Sequence, residues 1–68
     1  MGNPRGNLNM ELSVIGKKSA DWRKENNIPQ SVIASDLNVS VETISAFEHG
    51  RTNNARVLSW YIEHGFRL

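Results

Sequence analysis

The sequence predicts an all-α fold, a compact bundle of four helices with room for a short fifth turn. Apolar residues recur at helical spacing in four separate stretches, and Asn, Pro or Gly stands at each joint between or after them. The chain has 68 residues and no cysteine, so a disulfide framework is ruled out and one modest core must hold the fold by helix packing alone. A second domain does not fit in this length.

Met1 to Asn9 holds three Asn, two Gly and Pro4 without apolar periodicity, and residues 1–11 are expected to be a flexible arm, either an idle terminus or an arm that lies on a ligand. Residues 12–68 are expected to form the folded domain. Helix one should begin near Leu12, with Leu12, Ile15, Ser19 and Trp22 on one stripe, and end near Asn26-Asn27 ahead of Pro29. Helix two should run from about Pro29 to Leu37, with Val32, Ile33, Ala34 and Leu37 inward. Asn38 tolerates the left-handed backbone that a tight turn requires, and Ser40 is a good N-cap for helix three. Ile44 and Phe47 give that helix its inner face, and Gly50 closes it. The polar stretch Arg51 to Asn54 leads to helix four, about Ala55 to His64, with Val57, Leu58, Tyr61 and Ile62 at helical spacing and Gly65 at its end.

Composition narrows the function classes. The net charge is only +1, yet Lys17, Lys18, Arg23 and Lys24 cluster in one segment and Arg51 and Arg56 flank the turn after helix three, giving local basic patches. His49 and His64 alone make no zinc site, so no metal and no cofactor are expected. No apolar run nears the roughly 20 residues of a membrane span, and the Asn-rich start does not read as a signal peptide, so a cytoplasmic location is expected. With no glycine-rich phosphate loop, ligand cluster or nucleophile paired with a base, an enzyme is not expected.

The central pattern from Gln30 to His49 meets the demands of two helices packed across a short turn. Ala34 is small at the close approach, Asn38 suits the turn, and Leu37, Val39, Ile44 and Phe47 point inward. At these residues the chain resembles the lambda-repressor and Cro-like helix-turn-helix family of the xenobiotic-response-element type. The match extends to Ile15-Gly16, Trp22-Arg23, Ile28-Pro29-Gln30, Phe47 through Arg51 and Val57-Leu58, and covers about Leu12 to Phe66. The sequence departs from the family at Asn38, where glycine is commoner, at Pro29 in place of a hydroxyl cap, and at Ser19 in a usually apolar position. Most members continue into a fifth helix that helps them dimerise, whereas this sequence ends at Leu68.

The resemblance implies a recognition helix at about 41–49 in the DNA major groove, with helix two across the backbone. Ser40, Val41, Glu42, Ser45, Ala46 and His49 would then face the bases. Val41 and Ala46 suit thymine methyls, Glu42 can accept from a cytosine amino group, and Ser45 can serve either role, whereas no Arg or Asn stands ready for guanine or adenine. Gln30 and Thr43 would hold phosphates, with Arg51, Asn53, Asn54 and Arg56 clamping the backbone or simply solvated. Arg23 and Glu48 look like the family's structural ion pair. Trp22 is expected in the core, and Trp60 either at its edge or exposed as a protein-contact anchor.

Two functions follow as expectations. The first is a sequence-specific regulator of transcription, Cro-like and repressor-like, binding double-stranded DNA as a homodimer, nucleoid-associated, and of phage or mobile-element type. The second is a protein-binding module of the same fold, an antirepressor or accessory subunit whose partner is another regulator. The low net charge and Glu42 on the reading face motivate the second.

Overall fold

The computed structural model describes the backbone of residues 4–68 and the side chains of residues 12–68. The described residues form four helices and no strand: α1 (Pro4–Glu25), α2 (Gln30–Leu37), α3 (Val41–Glu48) and α4 (Ala55–Glu63). No helix among them is long and apolar enough to cross a membrane.

The start of α1 overlaps the segment assigned to the arm. Residues 4–11 continue the helix, and of the segment assigned to the arm, Met1, Gly2 and Asn3 lie outside the described residues. Pro4 suits a first helical position, where its missing N–H costs nothing. Turns added to a helix already held by packing need no new nucleus, and Gly6 and the Asn residues each cost at most about 1 kcal/mol relative to alanine.

All four helices end in the same way. The residue after the last turn adopts a left-handed backbone at Asn27 (φ 59°), Asn38 (φ 58°), Gly50 (φ 74°) and Gly65 (φ 111°). At each of these ends one N–H reaches back five residues and its predecessor three, as in Ile28 to the Arg23 carbonyl (3.0 Å) with Asn27 to Lys24 (3.1 Å), and Val39 to Ala34 (2.9 Å) with Asn38 to Ser35 (3.2 Å). This is the Schellman arrangement, in which the residue after the left-handed one turns inward. Ile28 and Val39 accordingly pack on the core, and Phe66 is buried within it. Asn27 does for α1 what Asn38 does for α2.

The helix starts differ. Ser40 Oγ accepts from the Thr43 N–H at 3.2 Å, and Asn54 Oδ1 accepts from the N–H groups of Arg56 (3.0 Å) and Val57 (3.3 Å). Pro29 lies just before α2, not within it, and supplies no side-chain cap.

The core consists of Ile33 and Ala34 of α2, Ile44 and Phe47 of α3, Val57, Trp60 and Tyr61 of α4, and Phe66, with Ile15 and Trp22 of α1 packed against it. Tyr61 lies at its centre, with the rings of Trp22, Phe47, Trp60 and Phe66 at centroid distances of 5.6–5.9 Å. One inward assignment, Val32, is corrected, and Ile62 of the helix-four spacing also lies outward. Val32 is 42% exposed and Ile62 48% exposed, while Trp60 is buried. Neighbouring helical positions differ by about 100° in direction, so a contact face that takes Ile33 and Ala34 turns Val32 outward, and one that takes Trp60 and Tyr61 turns Ile62 outward.

Glycine and serine bring α1 onto the end of α3. A Cβ at Gly16 would clash with the carbonyl oxygen of Phe47 and lie 2.7 Å from the carbonyl carbon of Glu48, and one at Gly50 would lie 2.6 Å from the Ser13 Cα. Ser19, fully buried, donates its hydroxyl to the Ile15 carbonyl at 2.8 Å, which satisfies it without a partner on another helix.

Candidate functional site

The last residue of α3 is an acid, and it is buried. Glu48 is 7% exposed and faces Arg23, itself 8% exposed, so the expected ion pair is present. Arg23 Nε donates to Glu48 Oε2 at 2.7 Å and a terminal guanidinium nitrogen donates to Oε1 at 3.1 Å, a two-pronged contact that fixes the carboxylate plane. The remaining guanidinium nitrogen donates to the Ile28 carbonyl at 3.0 Å, tying the α1–α2 link to the same group. Gln30, the first residue of α2, donates from Nε2 to Glu48 Oε1 at 2.9 Å, and the Tyr61 hydroxyl of α4 donates to Oε2. One carboxylate therefore joins all four helices.

The electrostatics follow from these donors. Burial pushes the Glu48 carboxyl upward, but the hydrogen bonds from Arg23, Tyr61 and Gln30 and the Arg23 charge outweigh it and hold the group below its ordinary value. The hydrogen bond to Glu48 raises Arg23. Burial, reinforced by the bond to Glu48, pushes the Tyr61 phenol well above its ordinary range, so it stays a neutral donor. Among the described residues no buried side-chain nitrogen or oxygen lacks a partner.

The opposite side of α3 is open. Ser40, Val41, Glu42 and His49 are exposed, and Thr43, Ser45 and Ala46 are half-buried. Their bonds are local: the Ser40 and Thr43 hydroxyls share a hydrogen bond at 3.1 Å, and His49 Nδ1 lies 2.8 Å from the Ser45 carbonyl, to which it donates. Arg51 and Asn53 are exposed in the loop after α3.

Three residues assigned to phosphate contact already work within the fold. Asn54 spends its carbonyl oxygen on capping α4, Arg56 donates to the Leu37 carbonyl at 2.8 Å and so closes the end of α2, and Gln30 holds Glu48. Trp60 is 4% exposed, and its indole N–H donates to Asp36 Oδ2 at 2.9 Å while His64 stacks on its ring at 3.8 Å. An exposed Trp60 anchor for a protein partner is thereby withdrawn.

A groove of about 700 Å³ runs between α1 and the facing ends of α2 and α3, lined by Ser13, Lys17, Lys24, Gln30 and His49 among others. It places part of the basic cluster of α1 beside Gln30. Sequence reasoning missed Tyr61 as a polar partner; the available signal is that an inward tyrosine hydroxyl needs an acceptor and that Glu48 is the acid on an inward stripe. No group of three or more metal-ligating side chains occurs among the described residues. No family model, curated protein or solved structure matches this chain.

Proposed function

We propose that this chain is a sequence-specific DNA-binding regulator in which α2 and α3 act as a helix-turn-helix and α3 enters the major groove. The observation that carries the reading is the division of α3: Ile44, Phe47 and Glu48 are buried, while Ser40, Val41, Glu42 and His49 stay exposed beside Arg51. A helix held so firmly on one side can present the other to base edges without reorganising. The start of α2 adds to it, because its first N–H groups have no side-chain cap and Gln30 keeps one amide hydrogen beyond the one given to Glu48. Such a terminus attracts a backbone phosphate.

The exposed face favours thymine methyls through Val41 and Ala46 and a cytosine amino group through Glu42. Two copies on half-sites about 34 Å apart would read a palindrome. Selection of bound duplexes from random DNA, followed by affinity against salt, tests the reading. Affinity should fall steeply with salt, and Arg51→Ala should weaken specific and non-specific duplexes alike. Undetectable or salt-independent binding overturns it.

The exposed Val41, at 40%, beside Glu42 favours a second reading, a protein-binding module with α3 as the contact face. Failure to select any duplex, together with capture of another regulator abolished by Val41→Lys, would replace the first reading with this one.

A further inference from the structure

We infer that Tyr61 is a positioning residue for DNA binding, acting through Glu48 on Gln30; the inference rests on the DNA-binding reading above. Tyr61 is fully buried on α4, within the ring cluster, and its hydroxyl donates to Glu48 Oε2. Arg23 Nε shares that oxygen, leaving Oε1 for the other Arg23 nitrogen and for Gln30 Nε2 at 2.9 Å. The two carboxylate oxygens thus share Arg23, while Tyr61 holds one and Gln30 meets the other, so the oxygen facing Gln30 belongs to a group anchored on α4.

The consequence lies at the start of α2. An unrestrained glutamine amide presents either its oxygen or its nitrogen to an incoming anion, and the oxygen repels a phosphate. The bond to Glu48 commits Nε2 at this position and leaves its second hydrogen free, so the amide is set as a donor before any ligand arrives. Loss of the Tyr61 hydroxyl removes one restraint on the carboxylate and lets Glu48 and Gln30 shift together.

The test is a double-mutant cycle of Tyr61→Phe and Gln30→Ala, read as affinity for a selected duplex, with the folded fraction measured by circular dichroism and sucrose added to favour the compact state. Gln30→Ala should weaken binding about tenfold, the scale of one hydrogen bond to a charged group. Tyr61→Phe should weaken it about threefold in the parent and not at all beside Gln30→Ala. Equal effects of Tyr61→Phe in both backgrounds, or none in the parent, overturn the inference while leaving the DNA-binding reading intact. Absence of duplex binding by the parent chain overturns both. A second measurement needs no variant: an amide hydrogen of the Gln30 side chain should exchange with solvent more slowly than those of exposed Asn53, and equal rates overturn the positioning.

Discussion

The two sides of α3 differ in what their polar groups are bonded to. On the inner side, Glu48 reaches residues 13, 18 and 25 positions away in sequence, through Tyr61, Gln30 and Arg23. On the outer side, the bonds of Ser40, Thr43, Ser45 and His49 stay within four positions. Long-range bonds to one group make the inner side sensitive to loss of Glu48, which strands the buried Arg23 and Tyr61 together. Local bonds leave the outer side free to vary without loss of fold, which suits a surface that determines what is recognised.

The largest effect is expected at Glu48. Glu48→Ala leaves the Arg23 charge buried without its partner and should cost about 3–5 kcal/mol, enough to unfold much of so small a domain. The double variant Arg23→Met with Glu48→Leu should be clearly more stable than Glu48→Ala alone in urea denaturation. Equal stability of the two would show that the inner side is not governed by the buried pair.

Acid should act on the same group more gently. The folded-state value of Glu48 lies below its ordinary 4.5, so its contribution is fully present above pH 4.5 and is lost as pH falls through the lowered value. The urea midpoint of the parent should therefore drop more steeply below pH 4.5 than that of Glu48→Gln. Parallel curves would contradict a charged, hydrogen-bonded Glu48.

On the outer side the effect on stability should be smallest. Val41→Ala and Glu42→Gln should each change it by no more than about 0.5 kcal/mol. Duplex selection with Glu42→Gln should shift preference away from cytosine toward adenine, which a glutamine reads through two hydrogen bonds. An unchanged preference would remove Glu42 from the proposed reading face.

Legibility in the sequence depends on range. Asn38, Ser40, Gly50 and Gly65 are readable because a turn or cap involves residues within five positions and a backbone angle that few residue types accept. Asn27 carries the same signal, hidden by the stronger helix-breaking signal of Pro29 two residues on. The inward pair Arg23 and Glu48 is legible only through the resemblance, since residues 25 positions apart share no local constraint. Gln30, Asn54 and Arg56 point to a ligand by residue type, whereas their nearest partners belong to the fold itself.

Local sequence is enough to settle that the chain is helical, where α2, α3 and α4 lie to within a residue or two, and which residues end them, because periodicity and left-handed turns are properties of short segments. Packing settles that Trp60 and not Ile62 faces inward, and that Tyr61 and Gln30 meet on one carboxylate. Those outcomes depend on the neighbour each helix face meets, and only the assembled fold supplies the neighbour.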